Sequence, residues 1–556
     1  MNARFLPFLV AGCAAVSLWG QSPQNRPIAY PPLAPPLFVS GTFGELRNNH
    51  FHAGIDLRTN EEIGKPVFAV QEGFVSRIKV SPIGYGLAIY LDHPSGHTSV
   101  YAHLDRYDGA VAAWVLQAQM KNRFWELDTL LPPGLLPVQG GERIATSGNS
   151  GGSAGPHVHF ELRETQSEHP LNPLLHGLEV VDELPPVLRA LYFQDALGTR
   201  KQVPVGTPEG RRLLDTVSFA APLGVVLDAE DLMQPNGPKN GVYRAAQKTS
   251  NAMPFGYCFD SFDFADGRAV NATHDAGLFA QTGKRMYRMY RQPFHPGPTF
   301  SPSGWLPADA ASTGRIYASP GETVRVVWRV EDVLGQSDSV WAYLRCVQAS
   351  PWTAPELPVA DSLTASRWSL AWGTESFYRK TDVSLREHSD GLHLQWTGPV
   401  HSPLRLYPQK TADRIQFLVW TTPSGKKTWM AWDPQDSKPY LEIKEPGSGK
   451  WQTDLTPPSH QRKNPWPTSL APGRALGFTA SDAESGMAYY GGELEDGTFV
   501  LVSYDAKYKS MRVHLPTDLA PGAHRLEVVL KDRAGNVARL FHSFQSVPSS
   551  QGAGKP

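Results

Sequence analysis

The chain has 556 residues, too many for a single hydrophobic core, so its length predicts about three or four domains. Its formal net charge is -1 and its pI is near 7.0, which gives no electrostatic basis for binding nucleic acid or an anionic membrane surface. With 50 glycines and 49 prolines, together with many Val, Thr, Tyr and Trp residues, the composition favours short strands and turns over long helices. The sequence therefore predicts a mainly β protein.

The first 20 residues have the layout of a secretory signal peptide, because Arg4 precedes the apolar run Phe5–Trp19. That run is shorter than the about 20 apolar residues of a spanning helix, so no membrane-spanning segment is predicted after signal removal. Val10-Ala11-Gly12-Cys13 also resembles a lipoprotein cleavage box, which would leave Cys13 lipidated. Both routes predict an exported protein of the periplasm or cell envelope, and the prolines of 21–36 predict an extended leader.

Alternating and β-branched residues bounded by turn formers predict strands at 66–70, 73–80, 87–92 and 98–103. The segment Ala110–Leu127 has apolar residues at loosely helical spacing, which predicts an inserted helix. This helix is expected either to pack against the sheet or to form a wall over a substrate groove.

Three histidine-bearing segments lie between residues 52 and 159. In Gly155-Pro156-His157-Val158-His159, which ends a glycine-rich loop, both imidazoles would point to one face of a strand. In His52-Ala53-Gly54-Ile55-Asp56 the glycine and the β-branched neighbour favour extended backbone over a helix. The third segment is Tyr101-Ala102-His103. Each motif alone is more often a strand with surface histidines, but the ordered set of three indicates a metal site.

At these residues the chain resembles the lysostaphin-like (LytM-type) zinc metallopeptidases of family M23, which cut peptide bonds in bacterial cell-wall peptidoglycan. The resemblance covers about residues 37–177 and implies an antiparallel β metallopeptidase domain that binds one zinc ion. Matched residue by residue, it implies that His52, Asp56 and His159 bind zinc and that His103 and His157 are the catalytic pair. The implied substrate is the peptide stems of peptidoglycan.

Two imidazoles and one carboxylate leave one position open on a tetrahedral zinc, where a bound water has its pKa lowered to about 7. His103 and His157 are suited to take a proton from that water and to donate hydrogen bonds, but neither spacing nor the resemblance tells which of them is the base. Glu161 is expected either to orient a histidine or to be a surface carboxylate. Three other histidines are interpreted as turn or rim residues: His50, His93 and His97.

All five candidate site residues precede Gly177. A chain ending near that residue is therefore expected to fold and still hydrolyse small soluble peptides.

Beyond Glu183-Leu184-Pro185-Pro186 no further cluster of His, Cys and carboxylates with ligand spacing is recognised. The strand 324–332 with its following Gly335 echoes the strand 526–532 with its following Gly535, since each ends in Asp and a glycine turn. Such endings resemble the last hairpins of immunoglobulin-like sandwiches. We therefore predict β-sandwich modules at 183–350 and 463–548, with a β-rich segment of unassigned type at 351–462.

Tryptophans of the middle segment are expected to fill cores rather than to stack on sugar rings: Trp352, Trp368, Trp372, Trp396, Trp420, Trp429 and Trp432. Cys258 and Cys346 are expected either to pair or to be buried free thiols.

The sequence thus predicts an exported zinc endopeptidase for peptidoglycan cross-links, whose C-terminal β modules position it or bind a wall or protein partner. Two alternatives stay open. One is a catalytically silent protein that binds peptidoglycan or regulates another hydrolase, against which the intact histidines and Asp56 count. The other is a surface adhesion or assembly protein whose β modules carry the function.

Overall fold

The computed structural model describes residues 27–47, 50–195, 199–205, 216–252, 254–292, 313–349, 356–389, 391–408, 416–432 and 440–547. The predicted signal peptide, Cys13 and the first part of the leader lie outside these ranges. The described chain is mainly β, and nearly all of its strand pairs are antiparallel, which confirms the predicted fold class. Every helix within the described ranges falls short of the length and apolarity that a membrane-spanning helix requires.

The first region is an antiparallel sheet with a small hairpin beside it. Its strands are β1 Val39–Gly41, β2 Leu46–Arg47, β3 His50–Phe51, β4 Ile55–Arg58, β5 Pro66–Phe68, β6 Gly73–Val80, β7 Leu87–Asp92, β8 His97–Tyr107, β9 Leu127–Leu130, β10 Pro137–Val138, β11 Arg143–Ser147, β12 His157–Glu164 and β13 Pro170–Leu171. The main order is β1-β4-β12-β8-β7-β6-β10, and β2 pairs with β3. Two predicted strands, now β6 and β7, have the expected bounds, while β5 is shorter and β8 is longer than predicted.

The predicted inserted helix is present but shorter. It spans Gly109–Asn122 (α1) and ends where Arg123 adopts a left-handed backbone, with φ of 50°. Val115 is buried against the sheet of the first region, while Phe124 stacks on Tyr489 of the last region with ring centroids 5.7 Å apart. These contacts support the packing interpretation of the insertion.

Two sheets follow a 3-10 helix at Pro173–His176, and their apolar side chains share one core. The strands are β14 Val187–Gln194, β15 Arg200–Pro204, β16 Val217–Ala221, β17 Gly224–Glu230, β18 Arg244–Thr249, β19 Phe255–Cys258, β20 Met286–Arg288, β21 Thr323–Glu331 and β22 Ser337–Ala349. A 3-10 helix Phe264–Ala269, α2 Val270–Thr273 and α3 Ala276–Thr282 lie between β19 and β20. The orders are β15-β14-β17-β20 and β16-β22-β21-β18-β19, where β16 and β22 are parallel.

The β2–β3 hairpin packs into this second core rather than into the core of its own region. Phe43 and Phe51 are almost fully buried, and each ring lies 5.3 Å from the ring of Phe262. Phe51 also lies 6.2 Å from Phe259. Because both partners follow residue 177, these contacts argue against the expectation that a chain ending there folds normally.

The remaining strands form two more regions. The third contains β23 Asp361–Thr364, β24 Trp368–Trp372, β25 Ser384–His388, β26 Gly391–Gln395, β27 Leu404–Pro408, β28 Gln416–Thr421, β29 Lys427–Trp432, β30 Leu441–Ile443 and β31 Gly447–Gln452, in the orders β23-β24-β27-β30 and β25-β26-β31-β28-β29. The fourth contains β32 Ser459–Gln461, β33 Ser469–Leu470, β34 Ala475–Ser481, β35 Met487–Leu494, β36 Phe499–Asp505, β37 Ser510–His514, β38 Gly522–Asp532 and β39 Val537–Ser546, in the order β32-β34-β37-β36-β35-β38-β39-β33.

Two side-chain predictions can be compared with these regions. Trp368, Trp396 and Trp420 are buried in the third core, as expected of core residues, whereas Trp352 lies outside the described residues. Cys258 and Cys346 are both buried free thiols, so the pairing alternative is wrong.

Candidate metal centre

Three predicted metal ligands converge on one point in the first region. His52 follows β3, Asp56 lies on β4, and His159 lies on β12 directly opposite Asp56 in the antiparallel ladder. Nε2 of His52 lies 3.0 Å from Oδ1 of Asp56 and 3.1 Å from Nδ1 of His159, and that Nδ1 lies 3.0 Å from the same Oδ1. All three residues are buried. The structure therefore brings together one atom from each of two imidazoles and one carboxylate.

The two imidazoles of this trio are held by their outer nitrogens. Nδ1–H of His52 donates to the carbonyl of Thr42 at 2.8 Å, which directs Nε2 at the trio. Nε2–H of His159 donates to Oε1 of Glu161 at 2.8 Å, which leaves Nδ1 for the same point. Each ring is thus oriented with its other nitrogen facing the point that the three residues share.

Glu161 is fully buried, so the surface-carboxylate alternative is wrong. Its Oε1 also accepts from the hydroxyl of Tyr85, and its Oε2 accepts from Nε of Arg163 at 2.7 Å. Burial favours the neutral acid, but Arg163 and His159 outweigh it and lower the pKa of Glu161 to about 2. The carboxylate that orients His159 is therefore ionised at neutral pH. Its position two residues along the strand from His159 is the sequence signal that pointed to it.

Asp56 is held in its ionised form by its neighbours. Burial opposes ionisation, yet the nearby histidines, His52 first, keep the pKa of Asp56 well below its usual range. Its second oxygen, Oδ2, accepts from Nη2 of Arg47 at 2.8 Å. No spacing in the sequence points to Arg47, because its role depends on the β2–β3 hairpin folding back over β4.

Glu45 connects this hairpin to the second region. It is fully buried, and its Oε2 lies 3.4 Å from Nη2 of Arg47 and accepts from Nη2 of Arg285 at 2.6 Å. Its Oε1 accepts from the backbone N–H of Gly241 at 2.8 Å. A continuous polar path therefore runs from the second region through Glu45 and Arg47 to Asp56.

The two predicted catalytic histidines lie beside the trio. The ring of His103 on β8 is 4.8 Å from the ring of His157, and Nε2 of His157 lies 3.4 Å from Oδ1 of Asp56. Nδ1–H of His103 donates to the carbonyl of Ser150 at 2.9 Å, and Nδ1–H of His157 donates to the carbonyl of Gly155 at 2.8 Å. In both rings Nε2 is the nitrogen left for a reacting group.

His103 differs from an ordinary strand histidine in its backbone conformation and in its pKa. Its φ is 60°, a left-handed conformation that a residue with a Cβ rarely adopts. Burial, together with His159 and His157, lowers the pKa of His103 to about 3, so its imidazole is neutral at physiological pH. A neutral ring with Nδ1 occupied is a proton acceptor at Nε2.

The glycine-rich loop 148–156 approaches its surroundings closely. A Cβ at Gly148 would lie 2.4 Å from the backbone nitrogen of Asp105. Gly151 has a φ of +67°, and a Cβ there would lie 2.4 Å from the backbone nitrogen of Gly86. On the outer side, Nζ of Lys507 donates to the carbonyls of Asn149 at 2.6 Å and Ser153 at 2.8 Å. The loop that leads into His157 therefore packs closely against the first region and is hydrogen-bonded to Lys507 of the last region.

The donor set fits zinc. Zinc takes nitrogen and carboxylate ligands at about 2.0–2.2 Å, and a tetrahedral arrangement at that distance separates ligand atoms by about 3.3 Å. The observed separations of 3.0 to 3.1 Å are close to this spacing. His52, Asp56 and His159 can therefore share one zinc ion and leave a fourth position open.

The other histidines of the region do not join the site. His93 is the turn residue predicted, since its carbonyl accepts from the backbone N–H of Gly96, and its buried ring contacts the carbonyl of Glu72 through Nδ1 and the hydroxyl of Ser99 through Nε2. His50 is exposed. His97 lies against the ring of His176, with centroids 5.8 Å apart.

An antiparallel β region that joins a buried His–Asp–His trio to two further histidines has the organisation of a metallopeptidase site. The model of peptidase family M23 matches residues 50–120, a range that contains His52, Asp56 and His103 and ends before His157. The resemblance to the M23 peptidases predicted from the sequence is thereby confirmed, and the chain carries a region of M23 type.

Known proteins similar to this region include the DD-carboxypeptidase/endopeptidase Mpg of Neisseria meningitidis serogroup B, which is 31% identical over 141 residues, 24% of this chain and 26% of Mpg. An uncharacterized metalloprotease of Haemophilus influenzae is 31% identical over 127 residues, 23% of this chain and 22% of that protein. The catalytic domain of the prophage-encoded M23 protein EnpA from Enterococcus faecalis is 24% identical, with 26% of this chain and 96% of that domain covered and a TM-score of 0.20. The chain thus spans about a quarter of the length of the curated relatives it matches.

Proposed function

We propose that this chain is an exported zinc metalloendopeptidase that hydrolyses peptide cross-links of bacterial peptidoglycan. The observation that carries the proposal is the convergence of His52, Asp56 and His159, whose ligand atoms lie 3.0 to 3.1 Å apart with His103 and His157 beside them. The name of the Neisseria relative, a DD-carboxypeptidase/endopeptidase, supports a wall peptide as the substrate class.

In this proposal the trio holds the zinc ion through Nε2 of His52, Oδ1 of Asp56 and Nδ1 of His159. When bound, zinc supplies Lewis acidity that polarises a peptide carbonyl and lowers the pKa of a coordinated water to about 7. Arg47 keeps the carboxylate of Asp56 oriented through its hydrogen bond to Oδ2, and Glu161 does the same for the ring of His159.

His103 and His157 perform the proton transfers. Because each donates Nδ1–H to a backbone carbonyl, each turns its Nε2 toward the reacting groups. One can take the proton of the attacking water at Nε2, and the resulting imidazolium can return a proton to the amine that leaves. The fixed carbonyl partners keep both rings in position, which lowers the cost of aligning them with the substrate.

The proposal separates metal binding from catalysis at neighbouring positions. His159→Ala removes one of three ligands and is expected to lose zinc and activity together. His157→Ala and His103→Ala are expected to keep near-normal zinc, while turnover falls by roughly 100- to 10,000-fold, as for a lost general acid or base. Zinc would be measured by elemental analysis and cleavage by mass spectrometry of cross-linked muropeptides, with the exposed His388→Ala as a folded control.

Two results would contradict this assignment. A fully zinc-loaded His159→Ala protein would remove His159 from the ligand set. A wild-type protein that holds zinc and binds purified sacculi but releases no peptide would favour the silent binding or regulatory alternative.

The regions after residue 183 are assigned a positioning role in this proposal, at the module bounds 183–350, 351–462 and 463–548. The contacts of Lys507 with the loop 148–156 and of Tyr489 with Phe124 support that role. An adhesion or assembly function predicts instead that the chain from 183 onward binds wall or a protein partner alone, which a sacculus pull-down would detect.

A further inference from the structure

Three aspartates meet where the first region joins the second. Asp182 lies in the segment before β14, Asp231 directly follows β17, and Asp332 directly follows β21. One carboxylate oxygen from each lies within 4.8 Å of the others, and Asp231 and Asp332 are each only 3% exposed. The members of this cluster are separated by 49 and 101 residues, so no local spacing in the sequence reveals it.

The protein leaves this cluster only partly satisfied. Oδ1 of Asp231 accepts from the backbone N–H of Met233 at 3.1 Å, and Oδ1 of Asp332 accepts from that of Gln336 at 2.9 Å. Oδ2 of Asp332 and Oδ1 of Asp182 are buried and have no hydrogen-bond partner. Burying unpaired carboxylate oxygens is costly. Burial and the charge of Asp182 also raise the pKa of Asp231 to about 8, which is the direction expected where a counter-charge is lacking.

A fourth polar side chain is unsatisfied at the same place. Asn240 is fully buried, and neither its Oδ1 nor its Nδ2 has a partner. It faces Asp231 in an antiparallel bridge, with backbone hydrogen bonds of 3.0 and 2.7 Å. Directly opposed residues project to the same side of such a pair, so the amide of Asn240 lies on the side of the Asp231 carboxylate. A neutral oxygen donor thus accompanies the three carboxylates.

The last region provides an internal comparison. Asp454, Asp482 and Asp532 form a similar cluster with the same sequence framework, in which one Asp stands three residues before Pro-Pro and another stands three residues before a glycine of a turn. In this cluster both oxygens of Asp454 accept from backbone N–H groups, both of Asp532 accept from Asn536, and Oδ1 of Asp482 accepts from the backbone N–H groups of Glu484 and Gly486. Only the cluster of Asp182, Asp231 and Asp332 therefore contains buried carboxylate oxygens without a hydrogen-bond partner among the described residues.

We propose that Asp182, Asp231 and Asp332 bind a divalent cation of the calcium class, with Asn240 as an additional oxygen donor. Calcium takes six to eight oxygen ligands from carboxylates and carbonyls in a flexible geometry, whereas magnesium demands a near-ideal octahedron, keeps several waters and is seldom bound by an all-protein cage. The all-oxygen donor set also disfavours zinc, which prefers nitrogen and sulfur.

The bound cation links the chain leaving the first region to the second. The backbone N–H of Glu183 already donates to the carbonyl of Met233 at 2.6 Å, so the segments after Asp182 and after Asp231 are in contact. Calcium at this point adds a link that also includes β21 through Asp332. The site is therefore structural and separate from the zinc centre.

Calorimetric titration of the full, zinc-loaded chain with calcium chloride tests the proposal, with magnesium chloride in parallel. We expect one calcium to bind at this cluster, more tightly than magnesium, and to be lost in Asp231→Asn and Asp332→Asn. Both variants keep the Oδ1 acceptor that receives a backbone N–H. Asp532→Asn is the matched control and should retain this binding. Unchanged calcium stoichiometry in the two test variants, or equal magnesium affinity, overturns the proposal.

Unfolding temperature and amide hydrogen exchange test the site in case the variants fold poorly. At pH 9, above the raised pKa of Asp231, Asp231→Asn removes a charge from a repelling cluster and should raise the unfolding temperature of the calcium-free protein; a lowered temperature contradicts the proposed repulsion. In the wild-type protein, calcium should slow amide hydrogen exchange at 182–184, 231–233 and 332–336. Unchanged exchange in those segments overturns the site even if calcium binds elsewhere.

Discussion

A chain ending after Gly177 keeps all five candidate site residues but loses the packing partners of the β2–β3 hairpin. Phe43, Leu46 and Phe51 belong to the apolar core that includes β14, β17 and β21 of the second region. The truncation also removes Arg285, which pairs with the buried carboxylate of Glu45. We therefore expect this shortened chain to be strongly destabilised and to bind zinc poorly.

The size of the effect can be worked from the buried side chains. Each of the three apolar side chains contributes roughly 1.5–3 kcal/mol when fully buried, so their exposure costs up to about 5–9 kcal/mol. This is an upper bound, because part of each side chain stays covered by its own region. Domains are typically stable by about 5–15 kcal/mol, so the loss is comparable to the whole stability of the region.

The assay compares chains ending after Gly177 and after Ala349, since the second retains the hairpin's partners. Thermal unfolding by circular dichroism and zinc content by elemental analysis should show a folded, zinc-loaded longer chain and a shorter chain that is unfolded or melts far lower. A shorter chain with the unfolding temperature and zinc content of the longer one would refute the reasoning and restore the expectation of an independent domain.

Three other changes test named contacts. Glu161→Gln removes the charge that receives Nε2–H of His159 and should weaken zinc affinity roughly 10- to 100-fold in competition with a chelating dye; unaltered affinity would count against this role. Lys507→Met should speed hydrogen exchange in loop 148–156 and lower turnover without reducing zinc content, and unchanged exchange would show that the contact is dispensable. Burial lowers the pKa of His274 to about 3, so the stability that its neutral ring contributes above pH 6.5 is lost as the pH falls. Between pH 7 and 4, urea unfolding should show the free energy of unfolding fall by roughly 3 kcal/mol through this group, a loss that is absent in His274→Phe. Equal losses in the two proteins would contradict this.

The sequence predicted those parts of the molecule in which local pattern decides the structure. β6 and β7 have the predicted bounds because alternating apolar residues are enclosed by glycines, prolines and a tight turn. The spacing of His157 and His159 predicts a strand, and β12 contains both residues. The helical insertion ends at Asn122 instead of Leu127 because Arg123 turns into the left-handed region, which no apolar periodicity reveals.

Features that depend on distant segments could not be predicted in this way. The β2–β3 hairpin reads as part of the first region, yet Phe51 packs on residues about two hundred positions later along the chain. The contact of Lys507 with Ser153 joins residues 354 apart, and the aspartate cluster spans three separate segments. Nothing in the local composition around these residues specifies their partners, which are set by how whole sheets pack together.

These long-range contacts bear on what the later regions do for the metal centre. Arg285 pairs with Glu45, Glu45 lies beside Arg47, and Arg47 donates to Oδ2 of Asp56. Through these contacts the second region helps to hold the Asp56 carboxylate of the candidate metal centre in place. Lys507 meanwhile holds the loop that leads into His157 at the opposite side. The proposed catalytic pair, His103 and His157, would act efficiently only when it is held in place before the substrate arrives. Both sets of contacts therefore give the later regions a direct part in preparing the site, independent of any partner they bind.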